Sequence, residues 1–421
     1  MLQPRCIREG EYRASVRRRV ACQSLPHFDV DVPVRAILSY VLGTPAGHRR
    51  EARIDPVILA GYFDSTRGIF SNERSPDMTI EMERRAFPAG QGRAVLVAGA
   101  TGYIGRFVVR ELLSRGYRVI ALVRNSPGQG GGPAREWLGH QMPAGVDLHL
   151  TDVCDPRVLS RLNIGAEPLA AVISCLASRS GGVEDAWSVE FRANSNILQF
   201  AQRNGAGHFV LLSAICVQKP VLAFQRAKLA FEALLQQSGL RYSIVRPTAF
   251  FKSLSGQVEA VKSGKPFTVF GDGELTACKP ISESDLACYL ADCLIDPARW
   301  DRLLPVGGPG DAISPRQQGE MLFRLCGRRP RFRRVPLRVF DLAIPALSAL
   351  ARLRPALADK AECARIGRYY ASESMLVLNP ETGAYDAAAT PSWGSDPLEG
   401  FYRRVLREGL AGQELGQHKL F

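Results

Sequence analysis

The chain has 421 residues, 46% of them hydrophobic and 23% charged, an ordinary globular composition with length for one large domain or two smaller ones. Its formal net charge of +13 admits nucleic acid, an anionic membrane surface or an acidic ligand as partner without choosing among them. Ten cysteines without a CxxC pair, and no paired histidines at ligand spacing, give no support to a zinc or iron-sulfur site, so no metal is expected. No run reaches the ~18 apolar residues that a spanning helix needs.

Residues 1–92 are rich in arginine at their start, as a targeting peptide would be, yet Asp29, Asp31, Glu51 and Asp55 soon follow. They show no sustained periodicity and read as a disordered extension or an upstream over-reading of the gene, with Met78 as an alternative start. From Ala94 short apolar runs alternate with amphipathic segments, which predicts a Rossmann-type α/β fold: a doubly wound parallel sheet with helices on both faces. The runs are 94–100, 117–124, 146–152, 170–177, 208–214 and 242–248, with helices expected over 103–115, 155–163, 185–203 and 222–238. Residues 93–250 thus form the dinucleotide-binding domain. Residues 251–421 form a mostly helical substrate-binding region that closes over the carboxyl ends of the strands, where such folds bind ligands. Within it, "FRLCGRRPRFRRVPLR" (323–338) carries seven arginines and no acid. The apolar run "VFDLAIPALSALARL" (339–353) is read first as a core helix, and otherwise as an amphipathic face resting on a bilayer.

"GATGYIG" (99–105) joins the first strand to the first helix. Gly99, Gly102 and Gly105 allow a tight turn and close approach to a pyrophosphate, with Thr101, Tyr103 and Ile104 offering backbone amides at the positive end of the helix. The second strand ends in Arg124 and Asn125 without an acid, which favours the 2'-phosphate of NADPH over the free ribose of NAD. Arg106 is a second cation for that cofactor or a solvent-facing helix residue. Asp152 addresses the adenine edge or caps the next helix.

The glycine spacing, the "LLSA" strand and Lys228 resemble the short-chain dehydrogenase/reductase superfamily. The resemblance implies that Ser213 and Lys228 stand at the family's catalytic serine and lysine, and that Lys228 binds the nicotinamide ribose, with Pro247 also against the cofactor. Phe224 departs from the family's tyrosine, the proton donor in carbonyl reduction. An atypical, isoflavone-reductase-like branch keeps the lysine and reduces conjugated carbon-carbon double bonds, in which the substrate itself disperses the charge. Five longer blocks, 212–232, 242–258, 270–287, 366–383 and 407–416, are similar to the family of NADPH-dependent divinyl chlorophyllide 8-vinyl reductases. That resemblance implies reduction of a C8 vinyl group on a chlorophyllide-type tetrapyrrole, or its protochlorophyllide precursor, to ethyl.

A flat, apolar macrocycle with a propionate needs aromatic walls and a cation. Phe250, Phe251 and Lys252 follow the sixth strand and are expected on the substrate side, with Phe224. Lys219 and Lys279 are further cations for the carboxylate, or surface lysines; Asp285 belongs to the first turn of the following helix. A redox sensor or assembly factor of the same fold, or a reductase of another alkene, are the other functions that the motifs allow. No nucleic-acid partner is expected, since no recognised module accompanies the arginine run. The expected compartment is the cytoplasm of a phototrophic bacterium with peripheral contact to its photosynthetic membrane, the plastid being the alternative.

Overall fold

The structure, a computed structural model, describes residues 90–124, 142–165, 167–354 and 357–409. β1 (Ala94–Ala98) buries all five of its residues, and β4 (Ala171–Ser174) and β5 (His208–Leu212) are equally enclosed. A parallel strand covered on both faces has no solvent side, so its sequence is a continuous apolar run rather than an alternation. With β2 (Arg118–Val123), β3 (Asp147–Leu150), β6 (Arg241–Pro247) and β8 (Arg302–Val306) they form a seven-stranded sheet in the order β3-β2-β1-β4-β5-β6-β8, every pair parallel. The order reverses between β1 and β4, which opens a crevice at the carboxyl ends of these strands. The expected doubly wound α/β sheet is present, and β8 returns to it from beyond residue 250.

The α-helices described up to Asp292 are α1 (Gly105–Ser114), α2 (Pro156–Arg161), α3 (Val183–Ala186), α4 (Asn194–Arg203), α5 (Ala223–Gln236), α6 (Val258–Lys262) and α7 (Glu283–Asp292). Where one continuous helix is expected over 185–203, a π-helical segment, Trp187–Ala193, separates α3 from α4. Asn194 stabilises it, donating through Nδ2 to the carbonyl of Glu190 at 2.9 Å and accepting the hydroxyl of Ser174 at the end of β4. The widened turn therefore has its displaced carbonyl satisfied and its position tied to the sheet.

The C-terminal region adds β7 (Phe267–Phe270), α8 (Pro315–Leu325), β9 (Phe332–Val335), α9 (Arg338–Ala351), α10 (Ala358–Tyr370), the strand pair β10 (Val377–Leu378) and β11 (Tyr385–Asp386), and α11 (Leu398–Glu408). A second apolar core unites Val258 and Val261 of α6, Phe267 and Val269 of β7, Leu322 and Phe323 of α8, and Phe401 and Tyr402 of α11. α9 corrects the reading of 339–353 as core: none of its residues is buried, and Leu342 is 77% exposed. It packs on α10 through one side only, leaving its other apolar residues in solvent.

Candidate functional site

Gly99 has φ of +77°, and a Cβ there would lie 2.7 Å from the carbonyl oxygen of Cys175, so only glycine fits both the conformation and the space. At Gly105 a Cβ would collide with the Gly99 carbonyl, which brings the start of α1 directly against the turn. The Gly102 amide donates to the Gly99 carbonyl at 2.9 Å and closes the loop. No side chain caps α1 and its first turn holds no acid, so its positive end is open toward an anion. Ile104 is buried in the core, so it can serve a ligand only through its backbone; Thr101 is half-buried at the turn.

Arg124 is exposed directly after β2, and Asn125 lies outside the described residues. Asp152 is exposed after β3 and accepts the amide of Cys154 at 2.9 Å. The cap of α2 is Asp155, whose carboxylate accepts the Arg157 amide, so the helix-capping alternative for Asp152 is corrected. Arg106 is half-buried and lies 5.8 Å from the Tyr103 ring and 5.5 Å from that of Phe107. Burial, and the charge of Arg110, weaken its hold on a proton.

Lys228, on α5, donates from Nζ to Oε2 of Glu190 at 2.7 Å, with both side chains nearly inaccessible. Glu190 stands in the π-helical segment, and its other oxygen accepts the amide and hydroxyl of Ser178 at 2.9 and 3.1 Å. One turn along α5 from Lys228, Glu232 is fully buried between Ser213, whose hydroxyl donates to it, and the Arg246 guanidinium 2.5 Å away. Burial pushes the Glu232 carboxyl up, opposed by the Ser213 hydrogen bond and the charge of Lys228. Ser213 therefore spends its hydrogen on Glu232 and has only lone pairs left for a ligand. Pro247 ends β6 inside the sheet. Glu190, Ser178, Glu232 and Arg246 escape the sequence reading; the i,i+4 spacing of Lys228 and Glu232 was the one available signal.

Phe224 is half-buried in a cluster with Cys216, Leu222, Ile366 and Tyr369, so α10 supplies one wall beside α5. Phe250 meets the Tyr103 ring at 6.3 Å between centroids, and Lys252 places Nζ 4.6 Å from the same ring while its amide donates to the Tyr103 hydroxyl. Tyr103, Arg106, Phe250 and Lys252 are thus brought together at the glycine turn. Phe251 is corrected: at 2% exposure it points into the second core, 5.4 Å from Phe401, and forms no substrate wall. Lys219 is committed to Glu373 at 2.7 Å, and Lys279 to the Thr390 carbonyl at 3.0 Å. Asp285 stands in the first turn of α7 and accepts the amides of Ser395 and Asp396.

Residues 99–297 match the family of NAD(P)H-binding domains. The divinyl chlorophyllide a 8-vinyl-reductase, chloroplastic, of Zea mays is 55% identical over 80% of this chain and 85% of its own length. The chain belongs to the divinyl chlorophyllide a 8-vinyl-reductase family. A more distant relative of that family's fold, the photosystem II assembly factor Ycf39 of Cyanophora paradoxa, is 28% identical over 59% of this chain and 74% of its own. Among solved structures, the NADPH-dependent quinone oxidoreductase QOR2 of Escherichia coli, complexed with NADPH, superposes with a TM-score of 0.53 at 16% identity, over 74% of this chain and 99% of that one. It extends the likeness of the 8-vinyl-reductase fold to the Rossmann-type proteins. The glycine turn and Lys228 lie inside the NAD(P)H-binding match, whereas α9 and α10 lie beyond it.

Proposed function

We propose that the protein reduces the 8-vinyl group of a divinyl chlorophyllide to ethyl with NADPH. The single observation that carries this is its 55% identity, across 80% of this chain and 85% of the relative, to a reductase named for that reaction. The residues present suit the cofactor: the glycine turn and open helix end suit the pyrophosphate, and Arg124, without an acid beside it on β2, suits the 2'-phosphate. Bound there, NADPH supplies the hydride.

The chain's own residues supply position and a proton. Lys228 is held by Glu190 at the height where the ribose of a bound dinucleotide is expected. Of the side chains at the superfamily's three catalytic positions, Phe224 has no exchangeable proton and Ser213 gives its own to Glu232, which leaves the Lys228 ammonium. When that ammonium protonates the reduced pigment, Glu190 and the half-exposed Ser178 form the route by which a proton returns from solvent. Phe224, Phe250 and Tyr103 provide flat apolar contact for the macrocycle. Lys252, whose charged form is disfavoured by burial and by Arg106, gains from a propionate carboxylate beside it.

Plant relatives named chloroplastic favour a plastid over the bacterial cytoplasm as the compartment. Peripheral contact with the photosynthetic membrane accompanies this reading, because the pigment partitions there. No helix among the described residues is long and apolar enough to cross a membrane. The deciding assay mixes the purified protein, NADPH and divinyl chlorophyllide a; a small blue shift of the pigment's main band is expected. Tight NADPH binding without that shift would favour an assembly role, toward which the likeness to Ycf39 points.

A further inference from the structure

We propose that the outward face of α9, flanked by arginines, seats the protein on an anionic lipid bilayer. The helix has two unlike sides. Inward, Phe340 stacks 5.2 Å from Phe270, Ser348 receives Arg365 at 2.8 Å, and Asp341 holds Arg368 at 3.0 Å. Outward, Val339, Leu342, Ala346, Ala349, Leu350 and Leu353 recur every three or four residues, so they form one stripe along the helix. Leu342 and Leu353 are 77% and 82% exposed, and Val339 and Leu350 are each half-exposed. A continuous apolar stripe in water marks a surface that another phase or molecule covers.

Charge decides which. Arg338 at the start of α9, and Arg352 and Arg354 at its end, flank the stripe; all three are exposed, and none is ion-paired with a described carboxylate. A second copy docking on the same face about a twofold axis would bring this cationic set against itself, which costs energy. An anionic bilayer instead accepts the leucines below its headgroups and the arginines among them. At 1.5 Å per residue the helix is about 21 Å long, too short to span and suited to lying in the plane of the interface. The proposal deepens the peripheral placement above and rests on it only for which membrane is met.

The test is co-sedimentation of the whole protein with vesicles of phosphatidylcholine alone or with a third phosphatidylglycerol, together with its oligomeric state by light scattering. Binding to the anionic vesicles only, weakened by salt, is expected. The double variant L342E/L353E should abolish it, and R352A/R354A should weaken it about 25-fold, at about fivefold per arginine. Far-UV circular dichroism and NADPH affinity verify that both variants are folded. Turnover of detergent-dispersed pigment reads the active site separately and should match wild type in both. Equal binding to neutral vesicles, binding that survives both variants, or a dimer that L342E/L353E converts to monomer in place of vesicle binding would each overturn the proposal.

Discussion

Lys228 is placed between two carboxylates, Glu190 in direct contact and Glu232 one turn along its own helix, and this arrangement governs what substitutions there do. Lys228→Ala should lower kcat by about a thousandfold or more, the upper end of what a positioned acid contributes; a variant within tenfold of wild type would remove the ammonium from the reaction. Glu190→Ala leaves that ammonium buried without its partner and should cost roughly 3–5 kcal/mol in a urea titration. Glu190→Gln keeps a hydrogen bond but not the charge. It should fold, bind NADPH normally and show a lower kcat with a displaced pH profile, a result that a purely structural role would not give. Phe224→Tyr restores a phenol beside Lys228, and gained carbonyl-reductase activity on a simple ketone is the outcome that assigns reaction choice to this ring. Glu190 was illegible in the sequence because its partner is 38 residues away, and nothing local separates it from any acid on a helix.

Among elements, the strands were the most legible, since burial on both faces writes itself as unbroken apolar runs such as Ala94–Ala98. The π-helical turn was not legible, because its cause is tertiary: Asn194 reaching both back to Glu190 and across to Ser174. α9 was misread for a related reason, as an apolar count records what a helix carries and not what covers it. The π-segment yields its own prediction. Deleting Val189 should restore an ordinary helix and rotate the residues before it by about 100° relative to α4. The circular dichroism spectrum should then stay helical while turnover is lost, and unchanged turnover would show that the widened turn does not position the site.

Across the whole molecule, acid sensitivity is set far from the reaction. His208 begins β5, is 4% exposed, and lies 3.0 Å from the Ser243 hydroxyl, which itself donates to the Arg299 carbonyl; the imidazole Nε2 is therefore the donor. Burial, aided by Arg241, lowers its pKa from 6.5 to about 4. A depressed folded value means that the unfolded chain takes up the proton first, so stability is full above pH 6.5 and falls as pH drops toward 4, by about 3 kcal/mol in all. Urea titrations should show about 2 kcal/mol of that loss between pH 7 and pH 5, and His208→Gln should flatten it. The seventh strand carries a different consequence, one for synthesis. β6 is complete at Pro247 but its outer partner begins only at Arg302, about 50 residues later. At roughly 5–20 residues per second on the ribosome, the apolar edge of β6 waits several seconds for its cover. Nascent chains stalled in that interval should be the ones that chaperones capture and that aggregate when released.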